Sequence, residues 1–110
     1  MAVTFKAPVK DITFGYEVID SYNILNKISE FSDFSEDIVI PTMEECAKFS
    51  EEVLAPINAI GDQQGATIDN GVVKMPQEFI DAYKKFAEAG WASISLPEEI
   101  GGGGQPITLS

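Results

Sequence analysis

The chain of 110 residues contains no histidine and no arginine, and its seven basic residues are all lysines. The missing histidine excludes serine–histidine triads, histidine acid–base catalysis and histidine metal sites. The missing arginine excludes the bidentate guanidinium clamps that hold carboxylates and phosphates. The 18 acidic residues give a formal net charge of −11, and such a surface repels the phosphates of nucleic acid. We therefore expect no nucleic-acid partner.

Cysteine and long apolar runs are scarce as well. Cys46 is the only cysteine in the sequence, which excludes an intrachain disulfide and a thiolate metal cluster. It falls on an apolar helical face, where we expect a buried, inert thiol. No run approaches the roughly 20 apolar residues of a membrane-spanning helix, and residues 1–11 hold no apolar segment of signal-peptide length. These features predict no membrane span and a reducing, cytoplasmic compartment.

Apolar residues make up 45% of the chain, and their spacing is mostly helical. This spacing predicts helices over residues 11–28, 38–60 and 76–89, after an extended arm over residues 1–10. Residues 66–74 hold two β-like runs around Asn-Gly, which is a strong hairpin signal. Because an isolated hairpin is marginal in water, we expect it to lie on the helices. The predicted fold class is mainly α, a small bundle of about three helices with a short β-hairpin and extended N- and C-terminal segments.

Individual residues refine the helix limits. Asp11 can cap the first helix, and Pro41 fits the first turn of the second. Pro56 does not fit a helix interior, so the second helix should kink or end near residue 55. Leu54 lies on the apolar stripe of this helix, where we expect it to be buried. Gly90 suits the left-handed position that follows the third helix.

Several other patterns indicate a structural role rather than a catalytic or cofactor-binding one. Adjacent glutamates on a helix point about 100° apart, so the Glu-Glu pairs of the predicted helices do not converge on one substrate atom. Phe31 and Phe34 lie in a connection and are expected to tuck under the bundle. Aromatic residues at helical spacing are more often core than the wall of a cofactor site. This preference applies to the aromatic residues of the last third, which are Phe79, Tyr83, Phe86 and Trp91.

The most distinctive segment is a Pro-Glu-Glu turn over residues 97–99, followed by four glycines over residues 101–104 and by Gln105-Pro106. Each glycine loses much backbone entropy on ordering, so such a run indicates either a loose segment or a close approach to the backbone. A phosphate-binding loop would need a Gly-Lys-Ser/Thr ending, which is absent. A flexible tail and a close backbone contact are the two interpretations.

Four segments in order resemble a subgroup of the acyl-CoA dehydrogenases that includes enzymes for 3-(methylthio)propanoyl-CoA and for longer acyl chains. Residues 5–14 resemble an aromatic-x-Ala-Pro-Leu-x-Asp-x-x-Phe extension, and residues 47–65 resemble a long first helix. Residues 74–91 and the Gly-Trp to Pro-Glu-Glu-aromatic-Gly-Gly-x-Gly-x-Pro turn follow in the right order. Departures fall in the turn, where isoleucine, glycine and glutamine replace the usual tyrosine, glutamine and leucine at Ile100, Gly103 and Gln105.

This resemblance implies an N-terminal fragment of a FAD-dependent enzyme. Residues 91–110 would be a loop leading to a missing helix of the N-terminal helical domain. In the whole enzyme a glutamate beyond residue 110 would take the α-proton of an acyl-CoA while hydride passes to FAD, giving a trans-2-enoyl-CoA. We expect no catalytic, cofactor-binding or metal residue in this chain. The candidates for supporting the substrate pocket are the residues that carry the resemblance in this last segment, namely Trp91, Gly101, Gly102, Gly104 and Pro106.

The implied partners are the remainder of the dehydrogenase chain, the acyl-CoA substrate and further copies in a homo-oligomer. The fragment alone should be inactive. A face that later helices would cover predicts self-association or loose packing, with residues 101–110 mobile unless docked on a neighbour. A second interpretation belongs to another class of protein, a self-contained small acidic helical module for protein interaction.

Overall fold

Helices dominate the computed structural model, which describes residues 4–110. Two short strands, β1 (Thr67–Asp69) and β2 (Val72–Lys74), pair antiparallel with Ile68 opposite Val73. The mainly α fold class with a short hairpin is confirmed. The α-helices are α1 (Val9–Val18), α2 (Ser21–Leu25), α3 (Glu36–Phe49), α4 (Asn58–Gln64) and α5 (Gln77–Glu88).

The first helix begins earlier than the sequence indicates. Residues 4–8 have no regular structure, and α1 starts at Val9 rather than at Asp11. Asp11 lies in the first turn, and no side chain caps this helix. Pro8 occupies the capping position, because proline has no N–H to leave unsatisfied there and its φ of −80° leads into the helix. The first three residues of the expected extended arm lie outside the described residues.

The expected helix over residues 11–28 is interrupted after Val18. Asp20 adopts a left-handed conformation with φ of 55° and ψ of 37°, which aspartate tolerates better than most residues. Its carboxylate accepts a hydrogen bond of 2.7 Å from the side-chain amide of Asn23. The bend separates α1 from α2 and turns Tyr22 back onto Tyr16, with ring centroids 5.9 Å apart.

The second predicted helix starts at Glu36, two residues before the expected limit, so Pro41 lies inside α3 rather than in its first turn. Pro56 changes the helix type further along. It offers no N–H to the carbonyl of Glu52, and its ring crowds that carbonyl in regular α geometry. The chain therefore widens into a π-helix at Ser50–Leu54 and tightens into a 3-10 turn at Ala55–Ile57 before α4.

The hydrophobic core lies between α1, the connection to α3, and the C-terminal tail. Phe34 is 2% exposed and Val39 is fully buried. Tyr16, Tyr22 and Phe34 pack with ring centroids 5.7 to 6.1 Å apart. Leu109 completes this cluster at 5% exposure. Burial of Phe34 confirms the expectation for this residue, and Phe31 packs against the same cluster while only partly buried.

The rest of the molecule is open. Its accessible surface is 7959 Å², against about 6,000 Å² for a compact monomer of this size. The radius of gyration is 17.3 Å, against about 13 Å for a compact chain of this length. Leu54 is 43% exposed, so the prediction that it is buried was wrong. The helical stripe that carries it finds no fully covering layer within the described residues.

The hairpin also stands in solvent. Asn70 and Gly71 have φ of 49° and 78°, as a type I′ turn requires. Ile68, Val72 and Val73 are 60% to 77% exposed, however, so the expectation that the hairpin lies on the helices was wrong. The hairpin is held by its own strand pairing, by the Asn-Gly turn and by an ion pair between Lys74 and Asp69 at 2.6 Å.

Candidate functional site

The glycine turn folds back on the segment that precedes it. The amide of Gly101 donates to the carbonyl of Glu98 at 2.9 Å, and that of Gly102 donates to Pro97 at 3.0 Å. The next three amides also donate to backbone carbonyls. Gly103 bonds to Ser93 at 2.9 Å, Gly104 bonds to Leu96 at 2.9 Å, and Gln105 bonds to Ile94 at 3.0 Å. Five consecutive backbone N–H groups are therefore used within the chain.

Close backbone contact, rather than looseness, explains the glycines. A Cβ atom on Gly102 would overlap the backbone carbonyl of Leu96, and one on Gly103 would lie 2.7 Å from the carbonyl oxygen of Ile94. Gly101 has a φ of +88°, a left-handed conformation that side chains rarely adopt. Of the two interpretations of the tract, the close backbone contact is the one that the structure has.

This geometry decides what the turn can bind. An anion cradle needs free backbone N–H groups directed at the ligand, and these amides are already bonded. The chain also has no arginine, and within residues 4–110 no buried side-chain nitrogen or oxygen lacks a partner. The residues of the turn therefore do not fit the pyrophosphate of a dinucleotide such as FAD.

The five candidate pocket residues do not line a single site. Trp91, Gly101 and Gly102 line an open groove of about 700 Å³ beside α3. Gly104 lines a different groove of about 370 Å³, next to the Pro-Glu-Glu turn. Pro106 is buried. The turn thus joins two grooves, and its proline anchors it to the molecule.

The tail after the turn docks on its own chain. The hydroxyl of Tyr16 donates a hydrogen bond to the backbone carbonyl of Thr108, and Leu109 lies in the core. Burial raises the pKa of Tyr16. One aliphatic side chain and one carbonyl thus dock the tail on its own chain, whereas the sequence analysis expected docking on a neighbour.

Sequence reasoning missed an apolar cleft between the π-helix region and α5. Its volume is about 360 Å³, and it shares Leu54 and Asn58 with a second cleft of about 370 Å³. Tyr83, which was expected to be core, lines the first cleft and is 71% exposed. The remaining lining residues of the first cleft are Ile57, Phe79, Ala82 and Phe86.

The N-terminal arm bounds the second cleft on one side, where Phe5 lines it together with Ser50 and Leu54. Glu51 holds this arm with both carboxylate oxygens. Lys6 Nζ donates to Glu51 Oε2 at 2.8 Å, and the backbone amide of Ala7 donates to Glu51 Oε1 at 2.9 Å. The hydrogen bonds from Lys6 and from the Ala7 amide lower the pKa of Glu51. The hydrogen bond between Lys6 and Glu51 also raises the pKa of Lys6.

Candidate metal ligands are not assembled. Among residues 4–110 no group of three or more aspartate, glutamate or cysteine side chains is arranged to hold a metal ion. Cys46 is half-buried rather than buried. None of the helices in the described part of the chain is long and apolar enough to cross a membrane.

Comparison with curated proteins finds a relative that is a dehydrogenase. The chain is 36% identical over 104 residues to 3-methylmercaptopropionyl-CoA dehydrogenase of Ruegeria pomeroyi. The match covers 94% of this chain and 18% of that relative, so the chain spans less than a fifth of the relative's length. No protein-family model matches the chain.

Proposed function

We propose that this chain is the N-terminal part of a FAD-dependent acyl-CoA dehydrogenase. The whole enzyme would remove the α-proton and the β-hydride of an acyl-CoA thioester and release a trans-2-enoyl-CoA. One observation carries this proposal: 36% identity to a dehydrogenase over 94% of the chain. The partners would be the remainder of the dehydrogenase and further copies in a homo-oligomer. A cytoplasmic location stays a prediction.

The role of this part is to support the fold. Its open surface of 7959 Å² suits a segment that other helices cover, because compact monomers of this size expose much less. The glycine turn lies between two grooves, and it gives the following chain a fixed starting direction through buried Pro106 and Leu109. A substrate-supporting role of Trp91 and the turn belongs to the same proposal.

The chemistry of the dehydrogenation would come from elsewhere in the enzyme. Proton abstraction needs a base placed in a dry site near the substrate. Glu98 and Glu99 of the turn are exposed to solvent instead. FAD would be held by other parts of the protein, since the amides of the turn are bonded within the chain. We therefore propose that the chain alone is inactive.

The reading frame after Ser110 tests the proposal most directly. Continuation into several hundred residues with a β-domain supports the dehydrogenase. A stop codon at that point contradicts it and favours the self-contained interaction module. The purified chain gives a second test, because we expect it to be colourless and to reduce no dye with any acyl-CoA. A stoichiometric flavin spectrum would contradict the supporting role.

A further inference from the structure

Within residues 4–7, the hydrogen bonds that tie the N-terminal arm to the rest of the molecule go to one side chain, that of Glu51. Among the described residues, its hydrogen bonds to other segments are the two that Glu51 accepts, from Lys6 and from the amide of Ala7. Residues 4–7 belong to no helix or strand. Segments with few buried apolar contacts and few hydrogen bonds open at low free energy while the rest of a protein stays folded.

A tight turn at Pro8 sets the direction of the arm. The amide of Val9 donates to the carbonyl of Ala7 at 2.9 Å across Pro8, whose φ and ψ are −80° and 62°. These values define an inverse γ-turn, and the proline ring restricts the φ of this joint. The direction of the arm relative to α1 is therefore set locally, before Glu51 binds it.

A cleft lies under the arm. Phe5, which is 44% exposed, lines it together with Ser50 and Leu54. On the far side of Leu54 and Asn58 the apolar cleft toward α5 begins. The two clefts meet at Leu54 and Asn58, and Phe5 lines the one that lies under the arm.

The arm is hydrogen-bonded at Glu51, its direction is set by the turn at Pro8, and a cleft lies beneath it. From these three observations we propose that residues 4–7 are a strap. It closes the cleft at Ser50 and Leu54, and it detaches as a unit when the contacts with Glu51 are lost. The π-helix at Ser50–Leu54 places Glu51 under the arm. This inference concerns the described residues alone and does not rest on the proposed dehydrogenase activity.

The closing contact is electrostatic and exposed. The side chain of Lys6 is 79% exposed and that of Glu51 is 22% exposed, and exposed ion pairs hold weakly. Glu52 is the other charged group that acts on Lys6, and it also favours the protonated amine. Because Glu51 accepts from both donors, removal of its carboxyl group breaks both hydrogen bonds at once, and neutralisation of the carboxylate weakens both.

Amide hydrogen exchange measures the strap directly. We expect the Ala7 amide to be protected in the unmodified chain at neutral pH, and Glu51→Ala to lower this protection about tenfold or more. Glu52→Ala is the matched control, because it removes the adjacent carboxylate, which accepts no hydrogen bond from the arm; it should change protection less than about twofold. The Gly103 amide, bonded to Ser93, serves as the internal reference for folding.

Alkylation of a thiol under the arm tests whether the strap closes the cleft. With Ser50→Cys in a Cys46→Ser background, Glu51→Ala should raise the alkylation rate severalfold, and Glu52→Ala should not. If Glu51→Ala also lowers protection at Gly103, Lys6→Ala replaces it and should give a smaller loss at Ala7. An unprotected Ala7 in the unmodified chain, or unchanged protection in both arm variants, overturns the strap. Faster Ala7 exchange with unchanged alkylation overturns the closure of the cleft.

Discussion

The hydroxyl of Tyr16 donates a hydrogen bond to the backbone carbonyl of Thr108, 92 positions further along the chain. Next to this bond, Leu109 packs against Phe34 and Val39 in the core. The two ends of the chain therefore share one hydrophobic cluster, although neither helical spacing nor the glycine tract indicates this pairing. Stability of the core and order of the tail should change together.

Leu109→Ala tests this coupling. Removing a buried leucine costs about 2–5 kcal/mol through lost burial and the cavity that remains. Ile107→Ala is the matched control, because Ile107 is 80% exposed in the same turn, and it should change the free energy of unfolding by less than about 0.5 kcal/mol. Urea denaturation followed by circular dichroism gives both values. Equal effects of the two substitutions would show that the tail does not dock.

Gly102→Ala tests the close contact in the turn. The added Cβ meets the backbone of Leu96, which cannot rotate away as a side chain can, so we expect a loss of about 1–3 kcal/mol. Gly15→Ala in α1 is the control, because a Cβ there meets no atom within 4 Å. Alanine should stabilise this helix position by about 0.5–1 kcal/mol. Thermal unfolding should therefore shift in opposite directions.

Leu54→Ala tests the open character of the second helical stripe. Because Leu54 is 43% exposed, we expect a loss of about 1 kcal/mol or less, below the range for a fully buried leucine. Val39→Ala, at a fully buried position of α3, should cost about 2–3 kcal/mol. A larger loss at Leu54 than at Val39 would mean that the cleft is closed in solution.

Local signals predicted local features well. Asn70-Gly71 gives the hairpin turn, and Gly90 adopts a φ of 79° after α5, because each depends on neighbouring backbone alone. Helical spacing predicted the existence of the helices. It did not predict the bend at Asp20, since a left-handed aspartate carries no distinct signal among polar residues.

Features that need distant partners were missed. The burial of Leu54 was expected from its stripe, but burial also requires a covering layer, and the stripe does not specify one. Glu51 meets the arm across 44 positions, and the sequence marks it only as one of several acidic residues. The glycine tract allowed two interpretations, a flexible tail and a close backbone contact. The structure has the close contact, because the backbone of Leu96 lies against Gly102.

The strap should depend on pH. The hydrogen bonds from Lys6 and Ala7 lower the pKa of Glu51 in the folded chain, so its contribution is present above the unfolded pKa and is lost as pH falls through the folded pKa. The pKa of Lys6 is raised in the folded chain, so Lys6 matters at the alkaline limit. Its contribution to the stability of the arm is lost as pH rises through its folded pKa. The chemical shift of the Ala7 amide, followed by NMR below pH 4.5, the ordinary value for a glutamate, should report release at the acidic limit.

A control separates this release from general acid unfolding. In Glu51→Gln the Ala7 shift should no longer titrate with the Glu51 carboxylate, while the Gly103 shift should follow the unmodified chain. If the Ala7 and Gly103 shifts move together at every pH in both proteins, then the arm does not open separately.

Self-association of the isolated chain should increase with salt. The exposed surface of 7959 Å² includes apolar side chains such as Tyr83, Ile68 and Phe14, and large apolar patches usually find partners. The net charge of −11 opposes contact between copies. Salt shortens the reach of this repulsion from about 30 Å at 0.01 M to about 10 Å at 0.1 M. Sedimentation velocity at these two ionic strengths should therefore show larger species at the higher one. A compact monomer at both would contradict the fragment interpretation and favour the self-contained module, because a module complete in itself has no face that another part of the protein must cover.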